Sequence, residues 1–219
     1  MTTSAFQVPA VSIVDPIEEA FGTPNTAFEF DTSSLTGLTA LSNTPDVVDA
    51  DTTIAGHLFL RDDAAGNAAS GRYLASPSTP FTVITEVKTP INVADGAAGL
   101  FVGLGTPGNI AFWGPHVSAG VRTLSYLGYS NPTTVSTGTV LVNYPPYPVY
   151  IALVVNSTTD VDYLYSYDGL IWRKAVDAQN PGFTIGSVGL MLNSGGQLTT
   201  GAFDYLRIWN SALTFPGVP

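Results

Sequence analysis

The chain has 219 residues, of which 45% are apolar and 11% are charged, with 22 glycines, 16 prolines and no cysteine. This composition is typical of a folded, turn-rich protein of one domain, and it excludes disulfides, zinc ribbons and thiol catalysis. Seven basic and 17 acidic residues give a net charge of −10, the wrong sign for binding a nucleic-acid backbone.

The first 23 residues are predicted to form an N-terminal arm outside the folded body, because prolines interrupt them and no period is sustained. The arm lacks the basic start and continuous apolar stretch of a secretory signal, so we expect a soluble protein made without export. Within it, Pro16–Phe21 is the one helix signal, with Asp15 as its cap and Pro16 in its first turn. We expect the arm to lie against its own body or a neighbouring chain, with a frayed terminus as the alternative, because several of its residues are apolar: Phe6, Val8, Val11, Ile13 and Val14.

Residues 24–212 are predicted to form the folded body and residues 213–219 a short tail. Short runs rich in Val, Ile, Thr, Tyr and Phe alternate with Gly, Pro, Asn and Asp, which is typical of antiparallel strands. Weaker strand candidates lie near Ala27 and Leu38. The twelve clear strands are His57 to Arg61, Arg72 to Ala75, Phe81 to Lys88, Gly99 to Leu104, Asn109 to Trp113, Val121 to Tyr126, Thr139 to Asn143, Val149 to Asn156, Asp162 to Tyr167, Leu170 to Ala175, Ser187 to Asn193 and Ala202 to Trp209.

Twelve strands without intervening helices predict an all-β fold, with two antiparallel sheets packed as a sandwich or jelly roll. The longest aliphatic and aromatic run, Val149 to Val155, is too short to span a bilayer, so no membrane partner is expected.

The charge is unevenly distributed along the chain. Residues 1–63 sum to −9, whereas Asp95 and Arg122 are the only charged residues between Thr89 and Thr159. A charge-poor surface of this length favours cover by a partner subunit, and we therefore expect a homo-oligomer. The alternative is that Thr, Ser, Asn and Tyr supply enough polarity for an exposed surface.

The run from Ser166 to Trp172 contains Asp168-Gly169 between two strand-like segments, which predicts a two-residue hairpin turn. Tyr165 would then face Trp172, and Tyr163 would face Lys174. We expect this aromatic stripe to be core, with Trp172 against the second sheet, in preference to a ligand platform.

This run, Ser-x-Asp-Gly-x-x-Trp, together with Gly186–Leu190 and Ala202–Ile208, resembles the C-terminal half of concanavalin A-like β-sandwich domains. Upstream, Gly71–Tyr73 and Pro77–Val83 resemble the variants of that fold in structural proteins of tailed bacteriophages. The likeness spans roughly residues 56–209. It implies a jelly-roll sandwich of the kind found in accessory modules of glycosidases and in phage virions.

Catalytic relatives of that fold carry a Glu-x-Asp-x-x-Glu or Glu-x-Asp-x-Glu strand, which this chain lacks. Glu86 stands alone on its predicted strand, and Asp160 and Asp162 flank a turn that they are expected to solvate. A nucleophilic triad would require His57 or His116, and neither lies in a supporting motif. We therefore expect no enzymatic activity.

No cofactor is required by the sequence. Relatives of the fold often hold one Ca²⁺, and oxygen ligands could come from two acidic runs. These runs lack EF-hand spacing, so solvated acidic loops are the preferred interpretation. The runs are Asp46, Asp49 and Asp51, and Asp62 with Asp63.

Exposed aromatic rings on which sugars stack would support glycan binding, with the same residues as alternative interface contacts. The segment Tyr144–Pro148 contains three prolines and cannot be a central strand, so its two tyrosines are expected on a loop. The candidates are Trp113, Tyr126, Tyr129, Tyr144 and Tyr147.

These patterns predict a non-enzymatic virion protein of a tailed phage, made in the host cytoplasm. It would decorate or cement the capsid or sit on the tail, held by its arm and by contacts with other virion proteins. The alternative is a carbohydrate-binding module that attaches to a host or a polysaccharide.

Overall fold

The computed structural model describes residues 15–41, 47–62, 69–91, 95–105, 108–132, 134–143 and 148–218. Nowhere in these ranges is there a helix with the length and apolar character needed to cross a bilayer. In chain order the elements are α1 (Pro16–Phe21), β1 (Thr26–Phe28), β2 (Thr39–Ala40), β3 (Val47–Ala50), β4 (Leu58–Asp62), β5 (Ala69–Ala75), β6 (Phe81–Ile91), β7 (Gly96–Gly103), β8 (Ile110–Ser118), β9 (Val121–Asn131), β10 (Thr134–Asn143), β11 (Val149–Ser157), β12 (Asp160–Ser166), β13 (Arg173–Gln179), β14 (Ser187–Asn193), β15 (Thr199–Phe203) and β16 (Leu206–Trp209).

These strands form two antiparallel sheets within the described residues. In the nine-stranded sheet, seven strands follow the order β13-β12-β11-β6-β15-β4-β3. The other two form a branch, in which β16 pairs with β6 and β1 pairs with β16. The seven-stranded sheet has the order β10-β9-β8-β7-β14-β5-β2. The sheets share a buried core that includes Leu60, Phe81, Leu100, Ile151 and Leu190. The predicted fold class, an all-β antiparallel jelly-roll sandwich, is therefore confirmed.

The segment from Ala202 to Trp209, predicted as one strand, is two strands. The chain leaves β15 at Asp204, whose N–H donates to the Glu86 carbonyl at 3.1 Å. β15 pairs with β4 and β6, whereas β16 pairs with β6 and β1. The break at Asp204 therefore lets both strands pair with β6 on one side while each has a different partner, β4 or β1, on the other. β3 was not predicted, because four residues that include an aspartate show no readable alternation.

The predicted two-residue turn at Asp168-Gly169 is wrong in length and register. β12 ends at Ser166 and β13 begins at Arg173, and Tyr165 pairs with Arg173 rather than with Trp172. The Asp168 carboxylate accepts from the N–H groups of Leu170 and Ile171, both at 2.9 Å. Because a side chain satisfies these backbone donors, the strands do not need to continue to the turn.

A second apolar cluster covers the outer face of the nine-stranded sheet, and Trp172 belongs to it. Trp172 is fully buried, as expected, but it does not lie against the second sheet. Its ring packs edge-on against Phe215 and Phe21, with centroid distances of 4.7 and 6.2 Å. Its Nε1 donates a hydrogen bond to the Gly169 carbonyl at 3.1 Å. We call this group the outer cluster: Ile17, Ile84, Ala152, Val154, Leu164, Trp172, Tyr205, Trp209 and Phe215.

Helix α1 has the bounds and cap that the sequence predicts, with the Ile17 N–H donating to the Asp15 carboxylate at 2.8 Å. Ile17 is fully buried in the outer cluster, and Phe215 is nearly so. Residues 15–21 and 213–218 therefore pack against the folded body. These contacts differ from the expected boundaries, which placed residues 1–23 in an arm and residues 213–219 in a tail. Residues 1–14 lie outside the described ranges.

Arg207 connects the segment around Asp15 and Glu29 to the nine-stranded sheet. It is 5% exposed, and its Nε and Nη2 donate to the two carboxylate oxygens of Glu29 at 2.8 and 2.7 Å. Its Nη1 donates to Asp15 at 2.7 Å, and the guanidinium lies 4.0 Å from the centroid of the Tyr205 ring. One side chain thus joins the cap of α1, the segment after β1 and strand β16.

The outer face of the seven-stranded sheet is also buried. A third cluster there contains Phe101, Phe112, Tyr129 and Met191. At the end of the β9–β10 hairpin, the Pro132 carbonyl accepts from the N–H of Ala69 in β5 at 2.6 Å. Since β8, β7 and β14 lie between β9 and β5 in the sheet, the hairpin end crosses this face.

Trp172→Ala should lower the free energy of unfolding by about 3 to 5 kcal/mol, because it opens a cavity among the rings of the outer cluster. Urea unfolding followed by circular dichroism measures the loss. The matched control is Tyr167→Ala in the same loop, which is 42% exposed and should cost about 1 kcal/mol or less. A Trp172→Ala loss as small as the control's would contradict the packing.

Candidate functional site

Two of the five aromatic residues proposed as exposed binding residues are buried. Trp113 is fully buried in the core, where its Nε1 donates to the Leu164 carbonyl at 2.8 Å. Tyr129 is 2% exposed, and its hydroxyl accepts from the Asn193 amide at 2.5 Å. The expectation that their faces are open was wrong because β8 and β9 are buried on both sides. Tyr144 and Tyr147 lie outside the described residues and remain predictions.

Tyr126 lies in a cleft at the open edge of the sandwich. The cleft has a volume of about 470 Å³ and is bounded by the β9–β10 hairpin, Asn109 and the segment from Gln179 to Phe183. We call it the edge cleft. It combines an aromatic side chain with amide and hydroxyl groups from Asn109, Ser130, Ser136, Thr137, Thr139, Gln179 and Asn180.

The aromatic wall of the edge cleft is anchored in the core. The half-buried Tyr126 ring packs edge-on against the Tyr163 ring, with their centroids 5.3 Å apart. The Tyr163 ring in turn packs edge-on against Trp113, with a centroid distance of 5.9 Å. Burial raises the pKa of Tyr126, so its phenol stays neutral and can both donate and accept a hydrogen bond. The site therefore has a rigid aromatic side chain at its base.

Local hydrogen bonds shape the two polar walls of the edge cleft. On the hairpin side, the Ser136 hydroxyl donates to the Gly128 carbonyl at 2.9 Å. A Cβ at Gly128 would lie 2.5 Å from the Thr137 hydroxyl, so a side chain at position 128 would displace the Thr137 side chain that lines the cleft. On the other side, the Asn180 side-chain oxygen accepts from Gly182 N–H at 2.8 Å, which leaves the Asn180 amide nitrogen available to a ligand.

Among the described residues, the lining of the edge cleft contains no Asp, Glu, Lys, Arg or His. Such a surface offers neutral donors and acceptors beside the aromatic side chains of Tyr126, Tyr129 and Phe183, which suits uncharged hydroxyl-rich ligands. Sequence analysis missed Asn109, Gln179 and Asn180. Asn109 lies in the charge-poor stretch of the sequence, but no motif marked it as a binding residue. No sequence pattern indicated that the end of β13 lies across the cleft from β9.

Glu86 is not isolated, contrary to the sequence analysis. Lys88 Nζ lies 2.6 Å from Glu86 and 3.6 Å from Asp204, and His57 Nε2 lies 3.5 Å from Asp204. Burial raises the pKa of Glu86, while the hydrogen bond and charge of Lys88 oppose that change. The carboxylates are joined through a cation on the outer face of the nine-stranded sheet, away from the edge cleft, and this is the arrangement of an ion-pair network.

His116 is half-buried beside a cavity of about 360 Å³ that Asp95 and Asn193 also line. Its Nδ1 lies 3.2 Å from the Ser125 hydroxyl, and burial lowers its pKa against the opposing charge of Asp95. Ser125 is fully buried, so its hydroxyl is not open to attack a substrate. Ser125, His116 and Asp95 therefore do not form a nucleophilic triad that a substrate could reach.

Asp162 does not solvate its turn, because it is 9% exposed and bonded on two sides. It accepts from the Ala178 N–H at 2.8 Å and lies 3.1 Å from Lys174 Nζ. Asp160 accepts from the Asn156 amide at 3.3 Å. Both carboxylates therefore stabilise the β11–β12 turn and the adjacent strand.

The acidic residues considered for Ca²⁺ have protein donors where they are described. Asp49 accepts from Thr53 N–H at 3.1 Å, Asp51 from Gly56 N–H at 2.8 Å, and Asp62 from the Ser70 hydroxyl at 2.7 Å. No group of three or more potential ligands occurs within the described ranges. Asp46 and Asp63 lie outside them.

No protein-family model and no curated protein matches the chain. Solved structures do resemble it in fold. A GH43 protein from Bacillus licheniformis superimposes with a TM-score of 0.67 at 18% identity over 85% of this chain and 39% of that one, so this chain spans about two-fifths of its length.

Two other similar structures match over nearly their whole length. The CBM2 module of the evolved Dit of Lactobacillus casei BL23 phage J-1 has a TM-score of 0.55 at 10% identity, over 88% of this chain and 97% of that one. A functionally unknown protein from Saccharomyces cerevisiae has a TM-score of 0.62 at 18% identity, over 83% and 99%. At these identities the likeness establishes a shared β-sandwich fold.

Chelation should leave the melting temperature unchanged, because the described acidic side chains are bonded to the protein itself. Differential scanning calorimetry with and without excess EDTA tests this. Magnesium-loaded EDTA, which still takes up Ca²⁺, separates the metals. A fall in melting temperature with EDTA that added Ca²⁺ reverses would contradict this prediction and establish a structural calcium site.

Proposed function

We propose that this chain is a non-enzymatic glycan-binding β-sandwich of a tailed-phage virion, and that it binds an uncharged sugar in the edge cleft. The observation that carries the proposal is the lining of that cleft: a core-anchored Tyr126 among amides and hydroxyls, without a charged side chain. An ionic ligand would find no counter-charge there, whereas sugar hydroxyls would find both donors and acceptors.

The buried sheet faces support this position. The outer face of each sheet is occupied by its own apolar cluster, and the β9–β10 hairpin crosses that of the seven-stranded sheet. The central strands of both sheets are therefore covered on both faces in the described structure, and open surface is found at the sheet edges. The gap between the sheet edges is the place where an aromatic ring and neutral polar groups converge.

The comparisons support the class of ligand and the virion setting. The phage Dit neighbour is named as a CBM2 module, which is a carbohydrate-binding type of module, and it corresponds to nearly the whole of this chain. The sequence resemblance of Gly71–Tyr73 and Pro77–Val83 to phage structural proteins favours the same setting. The GH43 neighbour belongs to a class of enzymes that act on glycans, which favours the ligand class alone.

A hydrolytic role is disfavoured by the placement of the acids. Glycoside hydrolysis needs two carboxyl groups on either side of the scissile bond. The edge cleft contains none, and Glu86 and Asp204 are bridged by Lys88 outside it. We therefore propose binding without turnover.

Gln179→Ala should weaken binding to a neutral oligosaccharide by about 2- to 10-fold, the cost of one neutral hydrogen bond. A glycan array with the wild-type chain identifies the sugar, and titration calorimetry then compares the variants. Gln197→Ala is the matched control, since it removes the same type of side chain from an exposed loop outside the cleft.

Equal losses in both glutamine variants, or binding only to anionic glycans, would contradict the position and the ligand class. Release of reducing sugar from the bound glycan by the wild-type chain would overturn the non-enzymatic role. Tyr126→Phe provides a further comparison, because it keeps the ring and removes only the hydroxyl.

For the virion setting, we propose that the first 14 residues tether the body to neighbouring virion subunits, because this segment is apolar and carries no charged side chain. Other virion proteins would then be the partners, at the head or the tail. The body that they would hold begins at Asp15, where the contacts of Arg207 and the outer cluster start.

Deletion of residues 1–14 should abolish incorporation into particles without a large change in melting temperature. Deletion of residues 1–21 should also lower the melting temperature, because it removes Ile17 and the Asp15 partner of Arg207. Particle incorporation and thermal unfolding of both variants provide the test. A chain that lacks residues 1–14 but still assembles would contradict the tether.

A further inference from the structure

Strand β10 is a long free edge of the seven-stranded sheet. It ends the strand order, so its outward backbone groups have no strand partner among the described residues. Seven consecutive residues, Thr134 to Val140, are exposed, and none of the ten residues of β10 is charged. An edge of this kind is a ready template for pairing with another strand.

The four other sheet edges within the described residues carry the features that normally prevent such pairing. β13, at one end of the nine-stranded sheet, contains Arg173, Lys174 and Asp177. The other three edge strands are short: β3 has four residues including Asp49, β1 has three and β2 has two. Charges and short length protect edges, so β10 differs from them in lacking both.

Charge also determines which surface a second copy can approach. Each chain carries a net charge of −10, so two copies repel one another over most of their surface. β10 lies within the 71-residue stretch in which Asp95 and Arg122 are the only charged residues. An identical neighbour meets no carboxylate on this strand, and the edge is therefore compatible with itself.

The exposed valines of β10 indicate a register. Val135 is 37% exposed and Val140 is 60% exposed. They pair with Tyr129 and Ser125, which lie four residues apart on β9 and so share one face of the sheet. In an antiparallel pair about a twofold axis, Val135 of each copy can face Val140 of the other, with Gly138 opposite Gly138 at the axis, because β10 has an irregularity between Val135 and Thr137.

We propose that two copies of this chain associate through β10 in this register, so that two seven-stranded sheets become one continuous antiparallel sheet. The association satisfies the free backbone groups of both edges and covers both pairs of valines. A contact limited mainly to one strand is small, below about 1,200 Å² in total, so we expect dissociation in the micromolar range.

The pairing would also bring two edge clefts together, because Ser136, Thr137 and Thr139 of the same strand line the cleft. Two sites held side by side bind a repeating polymer more tightly than one site does. The dimer itself does not depend on glycan binding, and it is tested without a glycan.

Val140→Lys is the decisive variant, because it places a charge on the free edge at a largely exposed position. Sedimentation equilibrium of the full chain from about 1 to 300 µM should give a wild-type mass that approaches twice 22.9 kDa. Val140→Lys should weaken association at least about 30-fold.

Two controls separate edge pairing from general effects of substitution. Val121→Lys changes a valine of nearly the same exposure, 59%, at a position that does not pair with β10. Val140→Thr keeps a β-branched side chain without a charge. Both should remain within about 3-fold of the wild type, and thermal unfolding should show all variants folded.

A wild-type chain that stays at 22.9 kDa over the whole range would overturn the proposal. A dimer that Val140→Lys leaves intact, or that Val121→Lys breaks equally, would overturn it as well, because the contact would then lie elsewhere.

Discussion

Burial of the central strands of both sheets on both faces is the constraint on which the rest of this structure depends. The core lies between the sheets, the outer cluster covers the nine-stranded sheet, and a third cluster covers the seven-stranded sheet. Removal of apolar surface from water favours this arrangement, and in the described structure exposed strand surface is left at the edges, on β10 and β13. Binding and association are thereby confined to the edges, where the edge cleft and strand β10 are found.

The few charged side chains reinforce this division. Arg207 binds Glu29 and Asp15, while Lys88 bridges Glu86 and Asp204, and both groups lie on the nine-stranded sheet. A buried arginine with two carboxylate partners would be costly to lose, since the acids would remain without a counter-charge. On the opposite side, Arg122 is the only charged residue of β9 and β10, and the neutral polar groups there suit both a sugar and an identical strand.

Local signals in the sequence predicted local structure well. Helix α1 begins and ends where Asp15 and Pro16 indicate, and β14 has the predicted bounds from Ser187 to Asn193. The turn at Asp168-Gly169 was misjudged because a carboxylate can replace the strand ladder as the partner of the loop N–H groups. Trp113 and Tyr129 were misjudged because alternation along a strand does not reveal whether the second face is also covered.

Residue types and short spacings are sufficient to predict the β class, helix α1, the absence of disulfides and the charge-poor stretch that contains β10. The position of Trp172 outside the two sheets, and the meeting of Tyr126 with Asn109 and Gln179 in one cleft, follow from the three-dimensional packing instead. Those contacts join strands far apart in the chain. Their geometry depends on sheet order and on the crossing of the β9–β10 hairpin, neither of which is encoded in any local pattern.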